Sequence, residues 1–155
     1  YGNINSTCIG DYLRPTLRFP GSGGGCDIAS LCKNVVIVIE QKKHRFPERV
    51  DFITAPGYLD GKEGSREKAG LPPGTGPTKV VTNLGIYSFH KGEMVLESIH
   101  SGADVTLEEI RMNTGWDIRV SDDLKETGPP TEEELSLLRE RVDPGQKFIR
   151  GKLVL

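Results

Sequence analysis

The amino-acid sequence predicts an α/β fold, and three observations carry that expectation. Val35-Val36-Ile37-Val38-Ile39 is an unbroken β-branched run, too short for a typical helix. Ile86 to Phe89 and Met94 to Ile99 flank Lys91-Gly92, the pattern of a tight hairpin. Thr106 and Thr131 each stand three residues before a glutamate, the spacing of a helix capping box.

The elements follow in order. Residues 1–20 are polar and turn-rich. The glycine loop Gly21-Ser22-Gly23-Gly24-Gly25 leads into a short helix around Ile28 to Cys32, with Asp27 as its expected cap. The run Val35 to Ile39 reads as a strand covered on both faces. Val50 to Thr54 reads as a second strand, stopped by Pro56-Gly57. Residues 56–78 form a long Gly/Pro-rich loop, the kind that is functional or mobile. Val80-Val81-Thr82 and the hairpin come next. Trp116 to Val120 alternates as a strand between the two capped helices. In the second helix Leu135, Leu138 and Val142 share one face, and Asp143-Pro144-Gly145 ends it.

Composition narrows the function classes. The 155 residues suffice for one domain, taken as 1–155, with a real core. A net charge of −2 gives no reason to expect nucleic-acid binding, and no apolar run approaches the ~20 residues of a membrane span. The sequence opens at Tyr1 with neither a leader nor a Met, which reads as a processed or truncated piece of something longer. Cys8, Cys26 and Cys32 have no zinc-like spacing, and their odd number argues for free, partly buried thiols in a reducing cytoplasm. Cys26 stands apart because it touches the glycine loop, where a helix N-terminus favours a thiolate.

The glycine loop is the principal candidate site. Residues without Cβ atoms let backbone N–H groups approach an anion or a developing oxyanion. By itself the loop is equally an ordinary turn. It lacks the third glycine of a dinucleotide-binding fingerprint, where Cys26 stands, and Gly74 to Lys79 lacks P-loop spacing. Ser22 lies between glycines, but Pro20 breaks the nucleophile-elbow pattern, and His44 and His90 read as surface groups. Lys42, Lys43, Arg45 and Arg49 make the densest basic patch, read as a solvated strand end. Glu40 reads as the partner of a nearby Lys or Arg.

Taken together, the segments resemble the C-terminal part of the B subunit of family I CoA-transferases. The matching stretches are Tyr1 to Thr7, Ile9-Gly10-Asp11-Tyr12, Gly21-Ser22-Gly23-Gly24, Lys43 to Phe46, Pro56-Gly57 and Asp60-Gly61. Gly70-Leu71-Pro72, Asn113-Thr114-Gly115 and Val142 to Gln146 complete them, so the resemblance covers essentially the whole chain. It implies an open, mixed or parallel α/β sheet with flanking helices, incomplete without an N-terminal portion. It also implies a partner A-type subunit in a hetero-oligomer, with a site between the two.

The implied chemistry moves CoA between an acyl-CoA and a small carboxylic or dicarboxylic acid through a glutamyl-CoA thioester. Gly23 and Gly24 would offer oxyanion N–H groups, and Gly21, Ser22, Gly25, Asn3 and Asn5 would line the substrate and CoA pocket. No metal or cofactor is expected, the CoA thioester being substrate. The family's nucleophilic Glu belongs to a motif before the Tyr-Gly-Asn stretch, and no acidic residue here has that context. Hydrolysis or decarboxylation of CoA thioesters, or a non-catalytic assembly role, are the alternatives.

Overall fold

A computed structural model describes residues 1–101 and 104–147. A two-stranded ribbon comes first, β1 (Cys8–Ile9) pairing antiparallel with β2 (Leu17–Arg18). Helix α1 (Gly25–Leu31), strand β3 (Val35–Val38) and helix α2 (Ser65–Lys68) follow. Then come β4 (Pro77–Val81), β5 (Gly85–His90), β6 (Glu93–His100), α3 (Leu107–Met112), β7 (Arg119–Thr127) and α4 (Glu132–Leu137). Strands β3 to β7 make one mixed sheet in sequential order. The β3/β4 and β6/β7 pairs are parallel, and the two central pairs are antiparallel.

The hairpin forms where expected. Lys91 and Gly92 both take positive φ, the mirror-image turn whose twist matches that of paired strands. Thr106 caps α3 by accepting from the Glu109 N–H, and Thr131 forms a full capping box with Glu134. That carboxylate is held below its usual range by the Thr131 backbone and hydroxyl donors.

The core lies under the sheet's centre. Phe46, Val80, Leu84, Tyr87, Met94, Leu96, Ile110 and Ile118 form one buried cluster. Phe46 stacks on Trp116 and tilts against Tyr87. Gln41, 2% exposed, runs through this apolar mass. Its Nε2 donates to Tyr87 Oη (2.8 Å) and Thr114 Oγ1 (2.9 Å), its Oε1 accepts from Thr82 Oγ1 (3.0 Å), and its backbone N–H donates to Asn83 Oδ1 (2.7 Å). Burial of that kind is tolerated because the amide's polar groups have partners.

Several expectations are corrected. Strand β3 is an edge strand with one open face: Val36 is 54% and Val38 80% exposed. Continuous apolarity does not distinguish a strand buried on both faces from an edge strand with one face open. Asp27 lies inside α1; Gly24 is the N-cap and no side chain caps it. Residues 50–54 make no strand; the Thr54 N–H donates to the Ile4 carbonyl, next to an isolated bridge of Ala55 with Ile4. The seventh strand begins at Arg119 rather than Trp116, because Trp116 stacks on Phe46 and Ile118 enters the core from the approach to the strand. After α4 a π-helical turn, Leu138–Val142, rotates Val142 away from Leu135, leaving it 63% exposed.

The segment expected as one loop over 56–78 instead carries α2 and runs into β4 at Pro77, and its remaining turns are internally braced. Gly57 packs against the backbone of Tyr1 and Gly2, with no room for a Cβ. Asp60 accepts from Ser65 Oγ and the Lys62 N–H and pairs with the Lys62 ammonium. These donors, the Ser65 hydroxyl foremost, lower its carboxyl from 3.8 to about 2.

Two outcomes follow. Gln41→Ala removes the amide that bridges Tyr87, Thr82 and Thr114 in the core and lowers stability by roughly 1–3 kcal/mol, read from the urea midpoint. The folded pKa of Asp60 lies below its unfolded value, so its contribution is present above pH ~4 and lost as pH falls through about 2. NMR titration of the Asp60 carboxyl will show that midpoint, and Asp60→Asn will remove this acid-sensitive step.

Candidate active site

No neighbouring atom crowds the four glycines of the loop. A Cβ at Gly21, Gly23, Gly24 or Gly25 would meet nothing within 4 Å, so steric crowding does not require glycine there. Conformation does at two positions, Gly21 (φ 98°) and Gly23 (φ 51°). One end of the loop is pinned by a reciprocal pair: the Gly21 N–H donates to the Ser6 carbonyl (2.9 Å), and Ser6 Oγ donates to the Gly21 carbonyl (2.8 Å). The Gly25 N–H turns back to the Ser22 carbonyl (2.8 Å). Among the described residues, the Gly23 and Gly24 N–H groups have no partner in the chain. The Ser22 N–H of the same loop is likewise without a partner among the described residues.

Beside them lies a cleft of about 290 Å³. Ser22 and Gly25 form its rim; Ile28 and Ala29 of α1, Val35 to Val38 of β3, and Ile4, Ser6 and Ala55 form its walls. No carboxylate, histidine or cysteine is among these lining residues. Ser22 Oγ donates to the Gly23 carbonyl (3.0 Å), and no hydrogen bond links it to a histidine. Of the loop's residues Ser22 and Gly25 line the cleft, while Gly21, Gly23 and Gly24 adjoin them in sequence and are not among its lining residues.

Asn3 and Asn5 work differently. Asn3 Oδ1 accepts from the Gly57 and Leu59 N–H groups and its Nδ2 donates to the Leu59 carbonyl. Asn5 Oδ1 accepts from the Thr7 and Cys8 N–H groups and its Nδ2 donates to the Cys8 carbonyl. Both amides staple the loops behind the cleft, and neither is among its lining residues. Buried Thr54 completes that support: its Oγ1 accepts from the Ser6 N–H (2.8 Å) and meets Thr7 Oγ1 (2.7 Å).

The other candidates separate. Glu40 pairs with Lys42 (2.8 Å) and Arg45 (3.2 Å), and the Lys42 hydrogen bond holds its carboxyl below the usual range. His44 and His90 are exposed, while His100 Nε2 bonds the Thr82 carbonyl (2.9 Å). Cys8 is buried and Cys26 half-buried in the first turn of α1, but Cys32 is exposed, against the expectation of a partly buried thiol. All three are free. Among the described residues no cluster of His, Cys, Asp or Glu could hold a metal, and no helix is long and apolar enough to cross a membrane.

Arg66 carried no signal in the sequence. This residue of α2 is 4% exposed, and its guanidinium lies among backbone carbonyls. Burial lowers its pKa from the ordinary value. Nothing in a Gly/Pro-rich loop marks one arginine as buried among the carbonyls of distant segments.

Comparison with known proteins gives this arrangement a context. The profile of the family described as Coenzyme A transferase matches residues 1–111. The B subunit of glutaconate CoA-transferase from Acidaminococcus fermentans is 42% identical over 152 residues, covering 97% of this chain and 55% of that protein. The B subunit of 3-oxoadipate CoA-transferase from Pseudomonas knackmussii is 43% identical over 141 residues, covering 90% and 53%. The crystal structure of glutaconate CoA-transferase from Acidaminococcus fermentans superposes with a TM-score of 0.88 at 40% identity, covering 97% of this chain and 57% of the other. The chain belongs to the coenzyme A transferase family. It spans about half the length of the curated relatives it matches.

Thr54→Val keeps the shape of the side chain but removes its bonds to Ser6 and Thr7. A loss of roughly 1–3 kcal/mol is expected. Because Ser6 pins Gly21, amide exchange at Gly21 will quicken, as hydrogen exchange by NMR or mass spectrometry will show.

Proposed function

We propose that this chain is part of a B-type CoA-transferase polypeptide that acts with an A-type subunit on an acyl-CoA and a small carboxylic or dicarboxylic acid. The observation that carries the reading is the pair of free N–H groups at Gly23 and Gly24 beside an apolar cleft. The names of the glutaconate and 3-oxoadipate relatives supply the substrate class. Three unbridged thiols fit a reducing cytoplasm.

The chemistry runs by acyl exchange. A glutamate carboxylate attacks the thioester carbonyl, the C–S bond breaks, and CoA leaves as thiolate from an acyl-glutamyl anhydride. The thiolate then attacks the glutamyl carbonyl, releasing the first acid and leaving a glutamyl-CoA thioester. The acceptor carboxylate enters by the reverse steps and departs as the new acyl-CoA. Each addition places negative charge on a carbonyl oxygen, which Gly23 and Gly24 are poised to receive. The cleft lining carries no carboxylate, and the family resemblance puts the nucleophile in a motif that precedes the Tyr-Gly-Asn stretch. The open edge of β3 and the exposed Val36 and Val38 are where such a segment would continue the sheet.

The test uses the complete complex. Incubation with an acyl-CoA should give a covalent CoA adduct by intact mass and exchange of CoA onto an added acid. Free acid and CoA without exchange would instead identify a hydrolase, and no turnover at all a non-catalytic assembly role. Gly24 has φ −79°, which proline adopts, so Gly24→Pro removes one donor with little strain at that residue. Its kcat should fall about 100-fold, the effect of losing a donor worth about 3 kcal/mol. Unchanged turnover would remove the role of the loop.

A further inference from the structure

Helix α1 is held to the rest of the molecule by few apolar contacts. Ala29 is its buried residue, while Ile28 is 54% and Leu31 62% exposed. Its last turn is instead gripped by one side chain. Arg66 Nη2 donates to the Ala29 carbonyl (3.1 Å), lies 3.4 Å from the Ser30 carbonyl, and reaches Thr75 Oγ1 (3.0 Å). Arg66 Nη1 donates to the carbonyls of Pro56 (3.0 Å) and Gly57 (2.6 Å). The ion pairs among the described residues do not include Arg66; its partners are carbonyls and a hydroxyl. A cation at the carbonyl end of a helix is well placed electrostatically.

We propose that Arg66 is a positioning residue for the glycine loop: by seating the carbonyl end of α1, it aims the free Gly23 and Gly24 N–H groups at the opposite end. This rests on the reading that those donors receive an oxyanion. The helix transmits the constraint because its own ladder makes it a short rod, from the Ile28 N–H on the Gly24 carbonyl to the Cys32 N–H on the Ile28 carbonyl. Seven residues at about 1.5 Å each give a rod of roughly 10 Å. A tilt of about 10° at the carbonyl end therefore moves the glycine loop by about 2 Å. A misplacement of about 1 Å is enough to cost roughly 100-fold in rate.

The geometry also explains why arginine is needed. One terminal nitrogen serves α1 and Thr75, and the other serves residues 56 and 57, so the planar fork spans segments that a single ammonium cannot span. Gly76 leaves space over the guanidinium, where a Cβ would crowd Arg66 Cζ at 3.1 Å.

Arg66→Lys keeps the charge and removes the fork. Hydrogen exchange on the purified complex should show faster exchange at residues 28–32, with the amides of β5 and β6 still protected. In the same complex, kcat for CoA exchange per folded site should fall about 10- to 100-fold while KM for the thioester changes less than about threefold. A purely structural role would lower the yield of folded sites and leave kcat per site intact.

Should Arg66→Lys fail to fold, Thr75→Val removes one guanidinium partner and should give a smaller change in the same direction. Unchanged exchange at residues 28–32, or faster exchange with an unchanged kcat, overturns the proposal. A wild-type complex with no CoA exchange would instead sink the transferase reading. The hydrogen-exchange result would then still show whether Arg66 seats α1.

Discussion

One buried amide fixes the geometry on which the rest depends. Gln41 follows the end of β3 and within one side chain's length meets the turn after β4, the phenol of Tyr87 on β5, and Thr114 just beyond α3. An apolar residue there would pack, but it would not select one arrangement of these four segments. Unmade hydrogen bonds in a low-dielectric core are expensive, so competing packings are excluded by their cost rather than by shape alone. Because β3 forms one wall of the cleft, a network deep in the core determines where that wall stands.

A second polar centre works at the other wall. Arg66 organises carbonyls from residues that share no strand, where Gln41 organises elements of the sheet. Each uses a side chain with several donors in a fixed geometry to join segments that apolar packing leaves loosely placed. The cleft lies between these two anchored regions. Its rim, the glycine loop, has no neighbouring atom crowding its four glycines and takes its position from what holds its ends.

Much of this was legible in the sequence where the signal was local. The Lys91-Gly92 turn, the Thr131 box and the glycine loop each depend on residues within a few positions of one another. The family pattern was legible for the same reason, as a series of short motifs. Unreadable features were those decided by distant partners. Val35 to Ile39 is equally apolar whether or not a strand covers its outer face. Thr54 and Arg66 look like ordinary loop residues until residues 6, 29 and 57 are brought beside them. Asn3 and Asn5 belong to a matching motif, but the motif does not say whether an amide faces a cleft or a neighbouring backbone.

The valine face of β3 has a consequence for how the molecule comes together. An unpaired strand edge accepts whichever extended segment reaches it first, and a second copy of the same strand is as good a match in backbone terms as any other. The outcome is then a race set by concentration and proximity. A neighbour tethered on the same polypeptide, at an effective concentration near millimolar, wins against copies in dilute solution. If the neighbour arrives as a separate molecule, that advantage is gone, and balanced supply of the two becomes a condition for solubility.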